Sequence, residues 1–184
     1  MCGRIGFDIR PGQLAERFPW LRIPEDLPPR YNVAPTQALL VIDERRQEAS
    51  LLRWGIDGHT RTGHFNLREE TVVENPRYRN LAPVIIPVSH FYEWSGQQPM
   101  KIARADGRPL LIAGLKGSWE DQPAVTVITT KATGVVVPLH HRMPVLLEDC
   151  ELIATPVSRL VNNVRNDGPE LLLPPSEYQL ELLG

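Results

Sequence analysis

The distribution of proline is the feature that most restricts the fold of this sequence. Eighteen prolines are spread over 184 residues, and a proline inside a helix removes a backbone donor and clashes with the preceding turn. Pro24, Pro28 and Pro29 therefore make segment 21–30 an extended connection. Together with the many short strand-like runs, they predict a β-rich α+β fold that forms one domain over residues 1–184.

Short apolar runs bounded by turn residues occupy much of the chain between the prolines. Ala38–Ile42 and Ala49–Trp54 are predicted to form two strands joined by a charged turn at Glu44–Glu48. The β-branched run Val125–Thr130 is predicted to be a central strand. Many short strands of this kind are typical of a β-rich fold.

The Asp106-Gly107 pair is a strong turn signal, and it predicts a hairpin between Met100–Ala103 and Leu110–Leu115. The remaining predicted elements are strands at Ile5–Arg10, Pro83–Pro87 and Phe91–Trp94, and short helices at Pro11–Trp20 and Leu146–Ala154.

Composition and charge exclude several classes of protein. A net charge of −2 argues against a protein that coats polyanions through bulk charge. No apolar run approaches the length of a membrane span, and the first residues are too polar for a signal peptide. Cys2 and Cys150 are too few for a disulfide framework, so a cytoplasmic protein without a metal site or cofactor is predicted.

The first four residues, Met1-Cys2-Gly3-Arg4, carry the most distinctive chemistry. Initiator methionine is normally removed before a small residue, which would leave Cys2 with a free α-amine beside its thiol. The amine condenses with an aldehyde to an imine, and the thiol then closes a five-membered thiazolidine. A terminal amine has a pKa of about 7.7–8.0, so it is a usable nucleophile near neutral pH. Alternatively, Cys2 is a small buried residue that begins the first strand.

Three further positions could take part in chemistry. Glu93 lies among aromatic residues, where burial would raise its pKa and suit it to acid–base work, unless it faces water from an alternating strand. One of His140 and His141 could transfer protons, although surface histidines are common. Asn66 and Arg68 would share one face of a strand.

Six blocks in colinear order resemble the SOS response-associated peptidase (SRAP) family, the abasic-site processing proteins. The blocks are Met1-Cys2-Gly3-Arg4, Arg30-Tyr31-Asn32-Val33-Ala34-Pro35-Thr36, Trp54-Gly55, Asn66-x-Arg68-x-Glu70-Thr71, Phe91-Tyr92-Glu93-Trp94 and His140-x-Arg142-Met143-Pro144. The stretch Pro156–Asp167 also resembles the family's C-terminal part. The resemblance covers essentially the whole chain.

The resemblance implies a β-rich α+β domain of mixed, mostly antiparallel strands with a few short helices. It also implies a monomer that binds single-stranded DNA and captures abasic sites through a thiazolidine at Cys2. The catalytic residues that it implies are Cys2, Asn66, Glu93 and His140, with no metal and no cofactor. The DNA-binding residues that it implies are Arg4, Pro35, Arg68, Thr129 and Arg142.

This chain departs from the family pattern in three places. Leu67 stands where the family usually has alanine, and Ser89-His90 replaces the usual Asp-Gly. The loop between Gly55 and Phe65 is short and lacks a tryptophan-bearing segment that would stack on bases at the lesion. The hypothesis is that His59, Arg61 and His64 compensate for the missing segment.

Two other functions stay open at this point. Cys2 could be the nucleophile of a cysteine peptidase or self-processing hydrolase, with its α-amine as the base. The chain could also be a binder of single-stranded DNA or of a protein that has lost catalysis. The joint presence of Cys2, Asn66, Glu93 and His140 argues against the loss of catalysis.

Overall fold

The computed structural model describes residues 2–22, 27–57 and 63–175. Two β-sheets contain most of the regular structure. The strands are β1 (Ile5–Phe7), β2 (Arg30–Val33), β3 (Ala38–Asp43), β4 (Glu48–Trp54), β5 (Asn66–Arg68), β6 (Ala82–Val88), β7 (His90–Ser95), β8 (Gln98–Arg104), β9 (Leu110–Trp119), β10 (Gln122–Lys131), β11 (Arg142–Pro144) and β12 (Leu152–Pro156).

The helices are short and lie between strands. They are α1 (Pro11–Ala15), α2 (Glu69–Glu74) and α3 (Pro76–Arg79), with 3-10 turns at Gly134–Val136, Arg159–Asn162 and Pro169–Leu172. Pro76 begins α3, and the side chain of Asn75 caps it by accepting a hydrogen bond from the backbone N–H of Arg77. Among the residues described, none of the helices has both the length and the apolarity needed to cross a lipid bilayer.

One sheet has the strand order β12-β8-β7-β1-β2, and the other has the order β11-β10-β4-β3-β6-β9. In the second sheet β9 also pairs with β10, which closes β10, β4, β3, β6 and β9 into a small barrel. Strands β4 and β5 both run parallel to β10, whereas the other pairings are antiparallel. The predicted fold class, with mixed but mostly antiparallel strands, is confirmed.

The main hydrophobic core draws side chains from both sheets. Ile5 and Phe91 contribute from the first sheet, and Trp54, Val125 and Val127 contribute from the second. Alternate residues of β10 point away from this core. One of them, Ala124, joins a smaller hydrophobic cluster beneath α2 and α3. The central position predicted for Val125–Thr130 is confirmed, because β10 pairs with β9, β11, β4 and β5.

The hairpin predicted around Asp106-Gly107 is wrong. Strand β8 pairs with β7 and β12, whereas β9 pairs with β6 and β10, so the chain crosses between the sheets at this point. The carboxylate of Asp106 accepts hydrogen bonds from Arg104 and Arg108, which fixes the crossing. The true two-residue turns are Gly96-Gln97, between β7 and β8, and Glu120-Asp121, between β9 and β10.

Two helix predictions also need correction. The helix expected over residues 11–20 ends at Ala15. The helix predicted at Leu146–Ala154 is absent from this described segment, whose last residues form part of β12 instead. Strand β12 adds to the open edge of β8, and this long-range pairing outweighs the local preference of a short apolar segment.

Candidate active site around Cys2

Cys2 is buried between the sheets. Its side chain is completely inaccessible to solvent and belongs to the main core cluster. The thiol lies 3.8 Å from the backbone carbonyl oxygen of Arg4, to which it can donate a weak hydrogen bond. Burial raises the pKa of the thiol above its usual range, and the nearby carboxyl of Glu93 raises this pKa further. Cys2 is therefore a small buried residue, although β1 begins only at Ile5, and its role as a nucleophile stays a prediction.

Asn66 holds the backbone of Cys2. Its side-chain Nδ2 donates a 2.6 Å hydrogen bond to the carbonyl oxygen of Cys2. The preceding residue, Phe65, is fixed because its carbonyl oxygen accepts hydrogen bonds from the indole N–H of Trp54 and from the backbone N–H of Val127. Asn66 consequently reaches Cys2 from a rigid strand end rather than from a mobile loop.

Leu67 shows how the structure accommodates one departure from the family pattern. Asn66 and Arg68 lie on one face of β5, and Leu67 points to the other face. There it packs in the smaller cluster with Ile56 and Tyr78. The larger side chain therefore occupies space away from Cys2 and does not crowd the site.

Glu93 is buried in β7, with only 4% of its surface exposed. The interpretation of Glu93 as a water-facing strand residue is therefore wrong. Burial raises the pKa of its carboxyl to about 7. The N-terminal segment runs beside it, because Ile5 pairs with Phe91 and the backbone N–H of Tyr92 donates to the carbonyl of Arg4. A carboxyl with this pKa can both accept and donate a proton near neutral pH.

His140 lies in the connection between β10 and β11. Its Nδ1 is 2.9 Å from the backbone nitrogen of Arg142, which donates to it. Burial lowers the pKa of His140, which favours the neutral imidazole. Nδ1 also lies 3.0 Å from the carbonyl oxygen of Arg142, to which it would donate if it carried the proton. His141 is exposed, and its ring stacks on that of His140 at a centroid distance of 4.3 Å. The neighbouring Leu139 packs against the core cluster that contains Cys2.

The three candidate arginines differ in their surroundings. Arg4 donates through Nη1 to the Oδ1 of Asn32 at 2.8 Å and to the carbonyl of Val161 at 2.7 Å. Arg142 is buried and forms a two-point ion pair with Glu70 at 2.7 and 2.9 Å. Arg68 is exposed at the end of β5. Of the three, Arg68 is thus the guanidinium most accessible to a phosphate.

Thr129 and Pro35 are the remaining candidates for DNA contact. Thr129 is completely buried, and its hydroxyl donates to the carbonyl of Leu67. Pro35 is half-buried between β2 and β3. Thr129 pairs with Arg68 on one side and with Pro144 on the other, so β5, β10 and β11 bring these positions together.

Asn32 and Glu70 were given no role in the sequence analysis, although both belong to the blocks that carry the resemblance. Asn32 is fully buried and bonded to Arg4, while Glu70 is bonded to Arg142. Asn32 stands beside the apolar pair Val33-Ala34, whereas Glu70 lies in a polar block and carries no such signal. The partners of both side chains are distant in the sequence, 28 residues apart for Arg4 and Asn32 and 129 residues apart for Asn32 and Val161, and local patterns do not reveal them.

The other two departures have different outcomes. His90 is buried, and its ring lies against Gly6. Its Nε2 forms a 2.8 Å hydrogen bond with the hydroxyl of Tyr92. A side chain at Gly6 would collide with this imidazole, so His90 and Gly6 fit one another. His59 and Arg61 lie outside the described residues. The ring of His64 contacts Tyr78 edge-on at 5.9 Å.

No three side chains of His, Cys, Asp or Glu converge as a metal site would require within residues 2–22, 27–57 and 63–175. The amide of Asn66 and the carboxyl of Glu93 lie beside Cys2, and the imidazole of His140 follows Leu139, which packs against the same core. This set suits proton transfer around an aldehyde or a carbonyl.

Comparison with known proteins finds relatives over most of the chain. The abasic site processing protein YoqW of Bacillus subtilis is 31% identical over an alignment of 224 residues that covers 94% of this chain and 99% of the relative. The alignment is longer than this chain, so the relative has segments that this chain lacks. The abasic site processing protein YedK of Escherichia coli is 28% identical, with 83% of this chain and 88% of the relative covered.

Two solved structures share the fold. A protein from Bacteroides thetaiotaomicron superposes with a TM-score of 0.75 at 17% identity, covering 94% of this chain and 99% of that one. A phage-related protein from Bordetella bronchiseptica has a TM-score of 0.62 at 23% identity, covering 93% and 91%. The sequence also matches the SOS response associated peptidase (SRAP) description over residues 1–179. The chain therefore belongs to the SRAP family.

Proposed function

We propose that this protein processes abasic sites in single-stranded DNA by forming a covalent thiazolidine at Cys2. Its curated relatives in Bacillus subtilis and Escherichia coli are named abasic site processing proteins. The observation that supports the proposal most directly is the hydrogen bond from Asn66 to the carbonyl of Cys2, with the carboxyl of Glu93 close by. Together they hold the N-terminal residue beside a group that can transfer protons.

The chemistry requires that Met1 has been removed, which gives Cys2 a free α-amine. The neutral amine attacks the aldehyde of the ring-opened deoxyribose, and loss of one water molecule gives an imine. The sulfur then forms a bond to the imine carbon, and the imine nitrogen gains a proton as the thiol loses one. Glu93 can accept the proton of the thiol because its pKa is about 7.

His140 and Asn66 would assist at the sugar. The Nε2–H of a neutral imidazole can donate to a sugar oxygen as the ring opens, while Nδ1 stays bonded to the backbone of Arg142. Asn66 also has a buried Oδ1 that lacks a hydrogen-bond partner within the described part of the chain. An N–H or O–H of the bound intermediate would satisfy this oxygen.

DNA would be held by contacts to its phosphates. Arg68 is exposed on the strand that presents Asn66, and it is the best-placed guanidinium for a phosphate beside the lesion. Thr129, which pairs with Arg68, and Arg142 are buried and would support this surface from within, whereas the half-buried Arg4 and Pro35 would contribute to the surface itself. We further propose that the protein acts as a monomer in the cytoplasm, at the nucleoid when it is bound to DNA.

The burial of the Cys2 thiol between the two sheets favours this chemistry over peptide hydrolysis. A cysteine peptidase needs a thiolate near neutral pH, and both burial and the charge of Glu93 disfavour the thiolate here. In thiazolidine formation the amine makes the first attack, and the thiol then meets a reactive imine. A thiol that stays protonated until that step is compatible with capture of an aldehyde.

The test uses an oligonucleotide with one abasic site and a denaturing gel. The processed protein should give a slower band without a reductant, and an N-terminally extended form, in which Cys2 is internal, should give none. Cys2→Ser keeps the amine but lacks the thiol, so its band should appear only when borohydride reduces the imine. An oligonucleotide with a tetrahydrofuran site, which has no aldehyde, is the control. Absence of any band with the processed protein, together with cleavage of a peptide substrate, would replace this proposal by the peptidase.

A further inference from the structure

Residues 2–4 are held mainly by side-chain contacts, because they precede the first strand. Strand β1 begins at Ile5, so residues 2–4 lie outside it. One hydrogen bond runs from the backbone N–H of Tyr92 to the carbonyl of Arg4 at 3.0 Å, and the amide of Asn66 holds the carbonyl of Cys2. The third attachment of this segment is the guanidinium of Arg4, which points into the protein.

Asn32 is the centre of this third attachment. It is fully buried in β2, and its Oδ1 accepts the hydrogen bond from Nη1 of Arg4 at 2.8 Å. Its Nδ2 faces the backbone carbonyls of Val161 at 3.1 Å, Asn163 at 3.1 Å and Asn166 at 2.9 Å. Both polar atoms of the Asn32 side chain are therefore used to join the N-terminal segment to the turn at residues 161–166.

Asp167 closes the same turn against β2. Its Oδ1 accepts from the backbone N–H groups of Tyr31 at 2.5 Å and Asn32 at 2.9 Å, and its Oδ2 accepts from the guanidinium of Arg30. These residues, with Arg4, Asn32 and the turn at residues 161–166, form what we call the Asn32 clasp. Buried side-chain networks in which every atom is bonded are rigid, and the clasp ties Arg4 to two distant parts of the chain.

Trp94 supports Arg4 from another side. The guanidinium carbon of Arg4 lies 5.8 Å from the centre of the indole ring, and the indole N–H donates to Oδ1 of Asn162 at 2.7 Å. The turn that carries the clasp thus also holds the ring against which Arg4 packs. A phosphate contact alone would not require Nη1 of Arg4 to point at a buried amide and a backbone carbonyl.

We propose that Asn32 is a positioning residue for Cys2, acting through the guanidinium of Arg4 to hold the N-terminal nucleophile in place. The inference rests on the proposed function only in naming Cys2 as the nucleophile. Loss of the clasp would release residues 2–4 from the first sheet, so Cys2 would become accessible and would meet its aldehyde less often in the reactive geometry.

The test compares Asn32→Ala with Asn163→Ala in a Cys150→Ala background, where Cys2 is the sole thiol. Asn163 is a matched control, because it joins the clasp through its backbone carbonyl, while its exposed side chain accepts from the backbone N–H of Arg165 rather than from Arg4 or Asn32. The rate of Cys2 alkylation by iodoacetamide should rise about tenfold or more in Asn32→Ala, since the thiol leaves its buried site. It should stay at the parent rate in Asn163→Ala.

Single-turnover crosslinking to abasic DNA is the second measurement. Asn32→Ala should lower the maximal rate about tenfold, with the DNA concentration for half-maximal rate unchanged, because the nucleophile and not the DNA contact is affected. An alkylation rate equal to that of the parent in folded Asn32→Ala would overturn the inference. A raised half-saturating concentration with an unchanged maximal rate would also overturn it.

Arg4→Met provides a second route if Asn32→Ala does not fold. It removes the guanidinium and keeps an apolar stem, and it should accelerate alkylation of Cys2 in the same way. An unchanged alkylation rate in Arg4→Met would reject the clasp. If the parent protein forms no crosslink with any DNA, the proposed function fails, while the alkylation rates still decide whether Asn32 positions Cys2.

Discussion

The side-chain amide of Asn66 donates a 2.6 Å hydrogen bond to the backbone carbonyl of Cys2. The bond joins β5, at the edge of the barrel sheet, to the segment that leads into β1 of the other sheet. It therefore sets the distance between the N-terminal residue and the exposed Arg68 two positions further along β5. This single contact relates the proposed nucleophile to the surface where DNA is proposed to lie.

Replacement of Asn66 by alanine should slow capture of abasic DNA. Asn66→Ala removes the donor to Cys2 and the acceptor proposed for the intermediate, and we expect the single-turnover rate at saturating DNA to fall about 10–100-fold. Asn80→Ala, at an exposed position after α3, is the control and should keep the parent rate. A parent-like rate in Asn66→Ala would show that this contact is not needed.

Leu67→Ala should affect stability and leave the site intact. The side chain of Leu67 is 5% exposed and packs with Ile56, Tyr78 and Leu115, on the face of β5 opposite Asn66. Truncation of a buried leucine lowers the free energy of unfolding by about 2–5 kcal/mol. Urea unfolding measures this loss, and the crosslinking rate of the folded variant should equal that of the parent. A lower crosslinking rate in the folded variant would mean that Leu67 shapes the site.

The sequence predicted the elements of this fold better than their pairing. The β3–β4 hairpin and the central position of β10 were predicted because turn residues and β-branched runs are local signals. The pairing predicted around Asp106-Gly107 was wrong because β8, before this turn, and β9, after it, pair with strands of two different sheets. A turn signal indicates that the chain changes direction, but it does not determine with which strands the two flanking strands will pair.

The candidate site shows the same limit of local sequence signals, which indicate residues better than their distant contacts. The blocks of sequence pointed to Cys2, Asn66 and Glu93, and the structure brings the first two into contact. Nothing local indicated that Arg4 would turn inward to Asn32, because that contact depends on a turn more than one hundred residues away. An arginine fork suits a phosphate and a cluster of buried carbonyl and amide oxygens equally well.

Glu93 should make stability depend on pH. The pKa of its carboxyl is about 7 in the folded protein against 4.5 as the ordinary value, so the folded state binds more protons between these values. The stabilising effect of the protonated carboxyl is complete below pH 4.5 and is lost as the pH rises through 7. Stability relative to Glu93→Gln should therefore fall between pH 5 and pH 8, as measured by urea unfolding. Glu151→Gln, at an exposed position, should show no such trend. A constant difference for Glu93→Gln across this range would contradict the assignment.

Arg68 should contribute to DNA binding through charge. Arg68→Gln removes one guanidinium from the exposed end of β5, and we expect weaker binding to every single-stranded sequence. The plot of log affinity against log salt concentration should become shallower by roughly one unit, since one phosphate contact is lost. Arg45→Gln, in the exposed turn between β3 and β4, should leave the slope unchanged. An unchanged slope in Arg68→Gln would place the phosphate contact elsewhere.

His141 should keep His140 neutral. Nδ1 of His140 accepts from the backbone N–H of Arg142, and the ring of His141 covers it at 4.3 Å. Burial lowers the pKa of His140, and the charge that His141 can carry lowers it further. His141→Ala admits water and removes that charge, so the pKa of His140 should rise. A titration of the imidazole nitrogen resonances measures the shift and the tautomer, which should be Nε2–H in the parent.

His64→Ala, on the opposite face of the barrel sheet beside Tyr78, is the control and should leave His140 unchanged. A neutral Nδ1–H tautomer in the parent would contradict the proton-donor role of Nε2, and an unchanged pKa in His141→Ala would show that the stacked ring does not control the charge of His140.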